Sequence, residues 1–485
     1  MADAARIARN TTYLTVASIV QKVISFGYFA FLATALGADQ LGQYSAALKF
    51  TSVFVIFMDF GLGPLLTREV AKDESRLQEN FEKFLSIKAA LIVLSLAALV
   101  GSAQIWNTAF ETVTAADVRL IYVGAFIIVF DTLTFTLFSI FRALKQLLWE
   151  AIGIVIYQSA ILLAGFGALH FGLPLPYVLG ALLLASAVQF VYMLGVLFKK
   201  TSVKIRWNWN WKTVWQIISL AAPFAFAGIL FRLNGTADSL MLKSMIGDRV
   251  TGWYELAFKL TFALTVLPGA FATSYFPVVS TYYQQAREKL SGTFETGVVY
   301  MLILSLPITV AVFVLGDDIV LRVWGTDFEA SIETLSILMV ALPFIFLNYP
   351  VGNFLNAVDK QKLNTFNMFI ALLVNIVLNL ALIPYYTFNG AAWAAVASSV
   401  VLVVLGLPWV YRVAPFRIGF LLKKLALISG SAGIMGFILF FIQDNYSLLL
   451  LIPIGAIIYV VGLLLLGALT SEELSLFKRA LLKRT

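Results

Sequence analysis

The stretch LGADQLGQYSAALKFT, residues 36–51, returns as IGDRVTGWYELAFKLT at residues 246–261. The two align without a gap at a shift of 210. Gly37, Gly42, Tyr44, Ala47, Lys49 and Thr51 match Gly247, Gly252, Tyr254, Ala257, Lys259 and Thr261. Each copy sits at the turn between the first two apolar runs of its half. A weaker echo, Gly180-Ala181 with Gly390-Ala391, uses the same shift. Six apolar runs separate the copies. An even number leaves both copies with the same orientation, so the repeat is parallel, about an axis along the membrane normal.

The runs are membrane helices by length and composition. Of 485 residues, 61% are hydrophobic and 12% charged, where a soluble chain carries roughly 25% charged. Apolar segments of about 20 residues or more, the length a bilayer needs, fall at 11–36, 40–67, 82–105, 117–141, 150–171, 174–198, 213–241, 250–276, 294–316, 331–357, 363–384, 389–411, 421–441 and 446–469. Barrel strands would be shorter and would alternate in polarity. The expected fold is all-α and integral to the membrane, with about fourteen transmembrane helices. Two six-helix lobes, 1–200 and 201–412, precede two further helices and a tail over 413–485. The first apolar run is too long for a signal peptide and is read as a retained membrane helix.

Lysine and arginine set the orientation. The N-terminal segment, the loops after even-numbered helices and the tail hold 25 of them; the opposite loops hold Arg119, Lys243, Arg249 and Arg322. This bias places both termini in the cytoplasm of a multi-pass protein of the cell membrane. It also accounts for most of the net charge of +8, so no nucleic-acid partner is implied. The most polar connection, KKTSVKIRWNWNWKTVW at 199–215, reads as a tether on the cytoplasmic surface. Its tryptophans suit the headgroup region, and its lysines suit anionic membrane lipids. It is taken as the boundary between the lobes. From Ser471 to Thr485 the tail reads as a short amphipathic surface helix.

Several chemistries are excluded. The chain has no cysteine and one histidine, His170, so thiol catalysis, Fe–S clusters and a multi-histidine metal site are ruled out. No Gly-Lys dipeptide occurs, so a Walker A loop cannot be built. The outer loops Ser102–Ala116 and Gly316–Ala330 are short for a membrane glycosyltransferase or polymerase, although the second carries Asp317, Asp318, Asp327 and Glu329.

The order of motifs resembles a known family. LATALGADQLGQYSAALKF (32–50) and DFGLGPLLTREVAK (59–72) carry the likeness in the first half. WGTDFEASIETLSIL (324–338), NAVDKQKLNTF (356–366) and VNIVLNLALIPYYTFNGAAWAAVASS (374–399) carry it in the second. These resemble the polysaccharide transporter branch, the Wzx-type flippases, of the multidrug/oligosaccharidyl-lipid/polysaccharide exporter superfamily. The resemblance implies a V-shaped, MATE-like transporter and no enzyme. It implies alternating access that carries a polyprenyl-diphosphate-linked glycan from the cytoplasmic to the outer leaflet, alongside glycosyltransferases and a polymerase. A lipid II flippase and an H+- or Na+-coupled multidrug exporter are the nearest alternatives.

Charges inside spans point to the site. A cation at mid-helix costs roughly 2.5–3.5 kcal/mol on insertion scales and is seldom left in lipid. Lys22, Lys49, Lys88, Arg232 and Lys259 lie within spans. Lys88 stands about two turns from the cytoplasmic end and can snorkel. The shift of 210 takes Lys22 onto Arg232 and Lys49 onto Lys259, which gives each lobe two cations at equivalent depth. Lys22, Lys49 and Arg232 are expected to meet the substrate's diphosphate. Lys259 is either a fourth contact or the i+4 partner of Glu255. Ser18 and Ser25 fall on the same helical face as Lys22 and are expected to line a cavity. Asp59, Asp131 and Asp238 also lie within spans; they either carry a coupling proton or sodium or serve as internal partners of the cations. Asp59 has a third role open to it, at the start of the Asp-Phe-Gly-Leu-Gly turn. Arg68 is a gate residue or a snorkelling one. No bound cofactor or metal is expected. Asn375 and Asn379, one turn apart, are expected to hydrogen-bond between helices.

Overall fold

The computed structural model describes residues 2–469, which form helices joined by short turns and one longer irregular connection at 201–210, with no strand among them. The α-helices are α1 (Ala2–Asp59), α2 (Leu62–Lys72), α3 (Leu77–Ala109), α4 (Ala115–Ala143), α5 (Leu147–His170), α6 (Leu175–Lys200), α7 (Trp211–Met245), α8 (Asp248–Ala263), α9 (Val266–Gln285), α10 (Leu290–Trp324), α11 (Ser331–Ala357), α12 (Gln361–Val413), α13 (Ile418–Ile442) and α14 (Leu448–Leu465). Among the described residues eleven stretches are long and apolar enough to cross a membrane, or twelve with the bent pair Trp211–Ala222 and Ala225–Met245. Two of those stretches, α1 and α12, each hold two helices on either side of a break in the helical backbone, which the expected tally of about fourteen counts separately. α1 has 58 residues and bends at Gly37; α12 has 53 and bends at Thr387. Either one, unbroken, would exceed twice the roughly 20 residues a hydrocarbon core needs. The expected tail from Ser471 lies outside the described residues.

One compact unit ends at Glu255 and a second begins at Leu256. In the first, α1 packs on α4, α5 and α7, and α6 closes on α4 and α5. Leu32, Met58, Leu99, Ile121, Val178 and Ala185 share one core there, and Leu66, Phe81, Phe141, Met193 and Leu197 another. In the second unit α11 lies against α10 and α12, and α13 and α14 pack on α10. Small residues allow the close approach expected between helices in lipid: a Cβ at Gly436 would stand 2.3 Å from Cγ1 of Val310. Glu295 of α10 receives the backbone N–H and the guanidinium of Arg417, at 2.7 and 2.6 Å, and so anchors the start of α13.

The compact unit ends well beyond the polar connection at 199–215, because α7 packs against the second arm of α1. That connection is itself pinned to α3. Lys204 and Gln78 exchange two hydrogen bonds of 2.8 Å, and Asn208 N–H donates to Ser86 Oγ at 2.9 Å. Trp207, Trp211 and Trp215 remain exposed. Asn210 caps α7 by accepting from the N–H groups of Lys212 and Thr213.

The main repeat reappears as local structure. Gly37 and Gly247 both adopt positive φ, 69° and 128°, a region open mainly to glycine. Tyr44 and Tyr254 are both buried. Thr51 and Thr261 are both buried and donate to the carbonyls of Ala47 and Ala257, four residues back. The weaker echo does not carry through. Gly180 faces open space, whereas a Cβ at Gly390 would sit 2.6 Å from the carbonyl oxygen of Leu382.

Candidate functional site

The buried charges gather where the second arm of α1, the end of α7 and the start of α8 meet. Lys49 Nζ lies 2.5 Å from Glu255 Oε1 and 2.7 Å from Ser239 Oγ. Ser239 in turn donates to Glu255. One residue earlier on each helix, Tyr254 donates its hydroxyl to Asp238 at 2.7 Å. The two helices therefore present matched polar positions, 238 and 239 against 254 and 255. Lys49 is half-buried and Glu255 is 0% exposed. The expected diphosphate contact at Lys49 is thus already occupied by a carboxylate of the chain. Glu255, the i+4 alternative open to Lys259, reaches across to α1. Lys259 is exposed on α8.

A second ionic cluster lies toward the end of α7. Lys243, counted as an outer-loop residue in the sequence, belongs to α7 and is 0% exposed. Its ammonium sits 2.5 Å from Asp248 and 3.0 Å from Asp117. Asp248 also accepts from Gln43 Nε2 at 3.3 Å. Asp117 closes a capping box with Thr114 at the start of α4. Beside it, Trp106 Nε1 donates to Ser244 Oγ at 2.7 Å and Thr112 Oγ1 to the Ser244 carbonyl at 2.8 Å. Nothing in the composition of the 241–248 stretch announced this cluster; its clue was a lysine and an aspartate five residues apart beside an apolar run.

Lys88 is another cation that found a partner. It is 1% exposed and its ammonium lies 2.5 Å from Asp59. It is held inside the fold by an ion pair and does not snorkel. Asp59 thereby has a structural neighbour, and Asp238 has Tyr254. Asp131 differs: it is half-buried and forms no ion pair among the described residues. Ser186 of α6 and Tyr157 of α5 are its polar neighbours.

Lys22 and Arg232, related by the repeat, have no acidic partner among the described residues. Lys22 is exposed and Arg232 half-buried. Ser25, near Lys22, donates to Gln158 Oε1 of α5 at 3.2 Å. The side chain of Ser18 lies outside the described residues. Arg68 is exposed, with Glu69 at 3.5 Å. In the second unit Asn379 donates to Asn375 at 3.0 Å along one helix. Among the described residues no cluster of acidic and histidine side chains could hold a metal ion.

Known proteins show the same architecture. The family described as polysaccharide biosynthesis protein matches residues 7–283, and the MatE family matches 223–381. A probable flippase of Haloferax volcanii, AglR, is 26% identical over 96% of this chain and 94% of its own length. A putative O-antigen transporter of Shigella flexneri is 22% identical over 84% of this chain and 97% of its own. Among solved structures, the lipid II flippase MurJ in an inward closed conformation superposes with a TM-score of 0.75 at 19% identity, covering 97% of this chain and 99% of that one. An inward-facing multidrug-resistance MATE transporter gives 0.68 at 14% identity, over 85% and 99%. The first family match spans more than half of the sequence and agrees with the membrane-helical fold, and the chain accordingly belongs to the polysaccharide biosynthesis protein family, as a membrane transporter of the multidrug/oligosaccharidyl-lipid/polysaccharide exporter superfamily and not an enzyme.

Proposed function

We propose that the protein is a flippase for a polyprenyl-diphosphate-linked oligosaccharide, moving it from the cytoplasmic to the outer leaflet of the cell membrane by alternating access. The names of the relatives, a flippase and an O-antigen transporter, support a lipid-linked glycan as the cargo class. The observation that carries the reading is the contrast among cations. Lys49, Lys88 and Lys243 each hold a carboxylate, while Lys22 and Arg232 hold none among the described residues. A mobile diphosphate would supply the missing charge to both, and arginine can grip phosphate bidentately. The test is transport of such a lipid in reconstituted vesicles. Uptake of organic cations without movement of the glycan lipid would sink the reading in favour of a drug exporter.

Orientation follows from the charge bias. A reporter active only outside the membrane, fused after Thr485, should stay silent, and one active only in the cytoplasm should report. The opposite pattern would invert the direction of transport proposed here.

Coupling to a proton or sodium gradient falls to Asp131. A carboxylate without a cationic partner can take up and release a cation without breaking an ion pair. Asp131→Asn should abolish gradient-dependent transport while substrate binding persists. Asp238→Asn, which keeps an acceptor for Tyr254, should leave the gradient dependence in place. Gradient-driven transport that survives Asp131→Asn would assign coupling elsewhere. Imposing pH and sodium gradients one at a time identifies the ion.

A further inference from the structure

Within the second unit, α9 and α10 close on each other at one level and stand apart at another. At Gly297 a Cβ would lie 3.1 Å from Cε2 of Tyr275 and 3.3 Å from Cζ of Phe271, and those two rings stack 4.9 Å apart. At Gly292, nearer the start of α10, a Cβ would meet nothing within 4 Å. The space left is a groove of about 480 Å3, within the roughly 300–1,000 Å3 of small-molecule sites. Phe271, Tyr275 and Tyr282, on one face of α9, give it an aromatic wall. Thr293 and Thr296 line the α10 side. Glu288 and Lys289 line it from the turn between the helices, and both are exposed. Tyr275 is buried, and its hydroxyl has no hydrogen-bond partner among the described residues. Leaving a buried donor unpaired is costly.

We propose that this groove holds one phospholipid of the cytoplasmic leaflet, with a headgroup that carries an ammonium as well as the phosphate. The inference rests on the orientation proposed above, which puts the turn Arg287–Lys289 in the cytoplasm. Charge selects the headgroup. Neither Glu288 nor Lys289 forms an ion pair among the described residues. Arg287 lies over the ring of Tyr283, 4.7 Å from its centroid, and is not part of the lining. The groove therefore offers one charge of each sign. Lys289 can take the phosphate and Glu288 the ammonium, both by charge-assisted bonds. Thr293 and Thr296 already donate to the carbonyls of Lys289 and Gly292, at 2.9 and 2.8 Å. What their oxygens still offer is lone pairs, which suit an ammonium. The aromatic wall selects a lipid over a soluble ion. A free phosphate would match Lys289 and leave the rings of Phe271 and Tyr275 bare, whereas an acyl chain covers them. The glycerol oxygens of a phospholipid also give the Tyr275 hydroxyl an acceptor.

The test is native mass spectrometry of the protein purified in detergent. It is incubated with phosphatidylethanolamine, phosphatidylglycerol or phosphatidylcholine of matched chains, and the lipid retained is counted. One phosphatidylethanolamine should be held in preference to the other two. Lys289→Gln should weaken it about tenfold or more, the loss of a charge-assisted contact. Glu288→Gln should erase the preference over phosphatidylglycerol. Gly292→Leu should abolish retention of that lipid by filling the groove. The change replaces glycine with a better helix former, so the fold is kept. Gly419→Leu, at an equally open site on α13, should change nothing. Equal retention of all the headgroups overturns the proposal, as does native retention in Gly292→Leu. Displacement of the lipid by a polyprenyl diphosphate overturns it too, and makes the groove part of the cargo path. No transport is measured, so the flippase reading and this site can each fail without the other.

Discussion

Lys243→Ala should destabilise the protein by about 3–5 kcal/mol, the range seen when one member of a buried ion pair is removed. The ammonium is fully buried between Asp248 at 2.5 Å and Asp117 at 3.0 Å. Its loss leaves two carboxylates facing each other, Asp117 buried and Asp248 half-buried. Gln43 and Thr114 would still donate to them, but neither brings charge. The damage should spread along α7, since its last turn is tied through Ser244 to α3 and to the turn that follows it. Thermal unfolding in detergent measures the effect. A companion variant separates charge from packing. Lys243→Met with Asp117→Asn and Asp248→Asn removes all three charges and keeps most of the volume. It should recover much of the loss, because replacing a whole buried ion cluster by neutral groups is often close to neutral. A Lys243→Ala protein that melts with the native one would show that the cluster is solvated in the membrane and holds nothing.

Arg232→Gln should weaken the glycan lipid by about one to two orders of magnitude, the equivalent of losing a charge-assisted contact of roughly 1.5–3 kcal/mol. Arg232→Lys keeps the charge and loses the planar fork, so it should be the milder change. Lys22→Gln should act in the same direction, and the double neutral variant should lose more than either alone. Lys49 belongs in a different class. Its charge is spent on Glu255 in this structure, so Lys49→Gln also exposes an unpaired buried acid and lowers stability along with transport. Measuring expression and melting beside transport separates the two. Arg232→Gln and Lys22→Gln should leave melting near the native value, since neither side chain holds a carboxylate. Full transport of a polyprenyl-diphosphate glycan by a well-folded Lys22→Gln/Arg232→Gln protein would end the anionic-substrate reading.

The two sets of variants differ in what the sequence foretold. The repeat placed Lys22 on Arg232 and Lys49 on Lys259, and that relation holds in the local structure around Gly37 and Gly247. It did not say which cations were spoken for. Asp59 and Lys88 were both visible as charges within spans, yet 29 residues separate them. Their pairing depends on how α3 is rotated against the end of α1. Lys243 looked like an outer-loop residue because its apolar run stops at 241; the helix continues to Met245 only because carboxylates from α4 and α8 satisfy the charge.

Membrane insertion and orientation were legible because they are additive. Partition into lipid sums over neighbouring residues, and the lysine and arginine bias sums over loops, so both can be read in chain order. Helix ends and sharp turns are local too, and glycine at positions 37 and 247 marked two of them. The breaks in α1 and α12 fall at Gly37 and Thr387, where the backbone leaves helical geometry between two apolar runs. Pairing is a different kind of property. Glu255 reaches Lys49 across 206 positions of sequence, and Gly42 meets Asp248 across the same number. Whether two such groups touch depends on the rotation and register of packed helices, to which every contact in the bundle contributes, and only the tertiary structure fixes those.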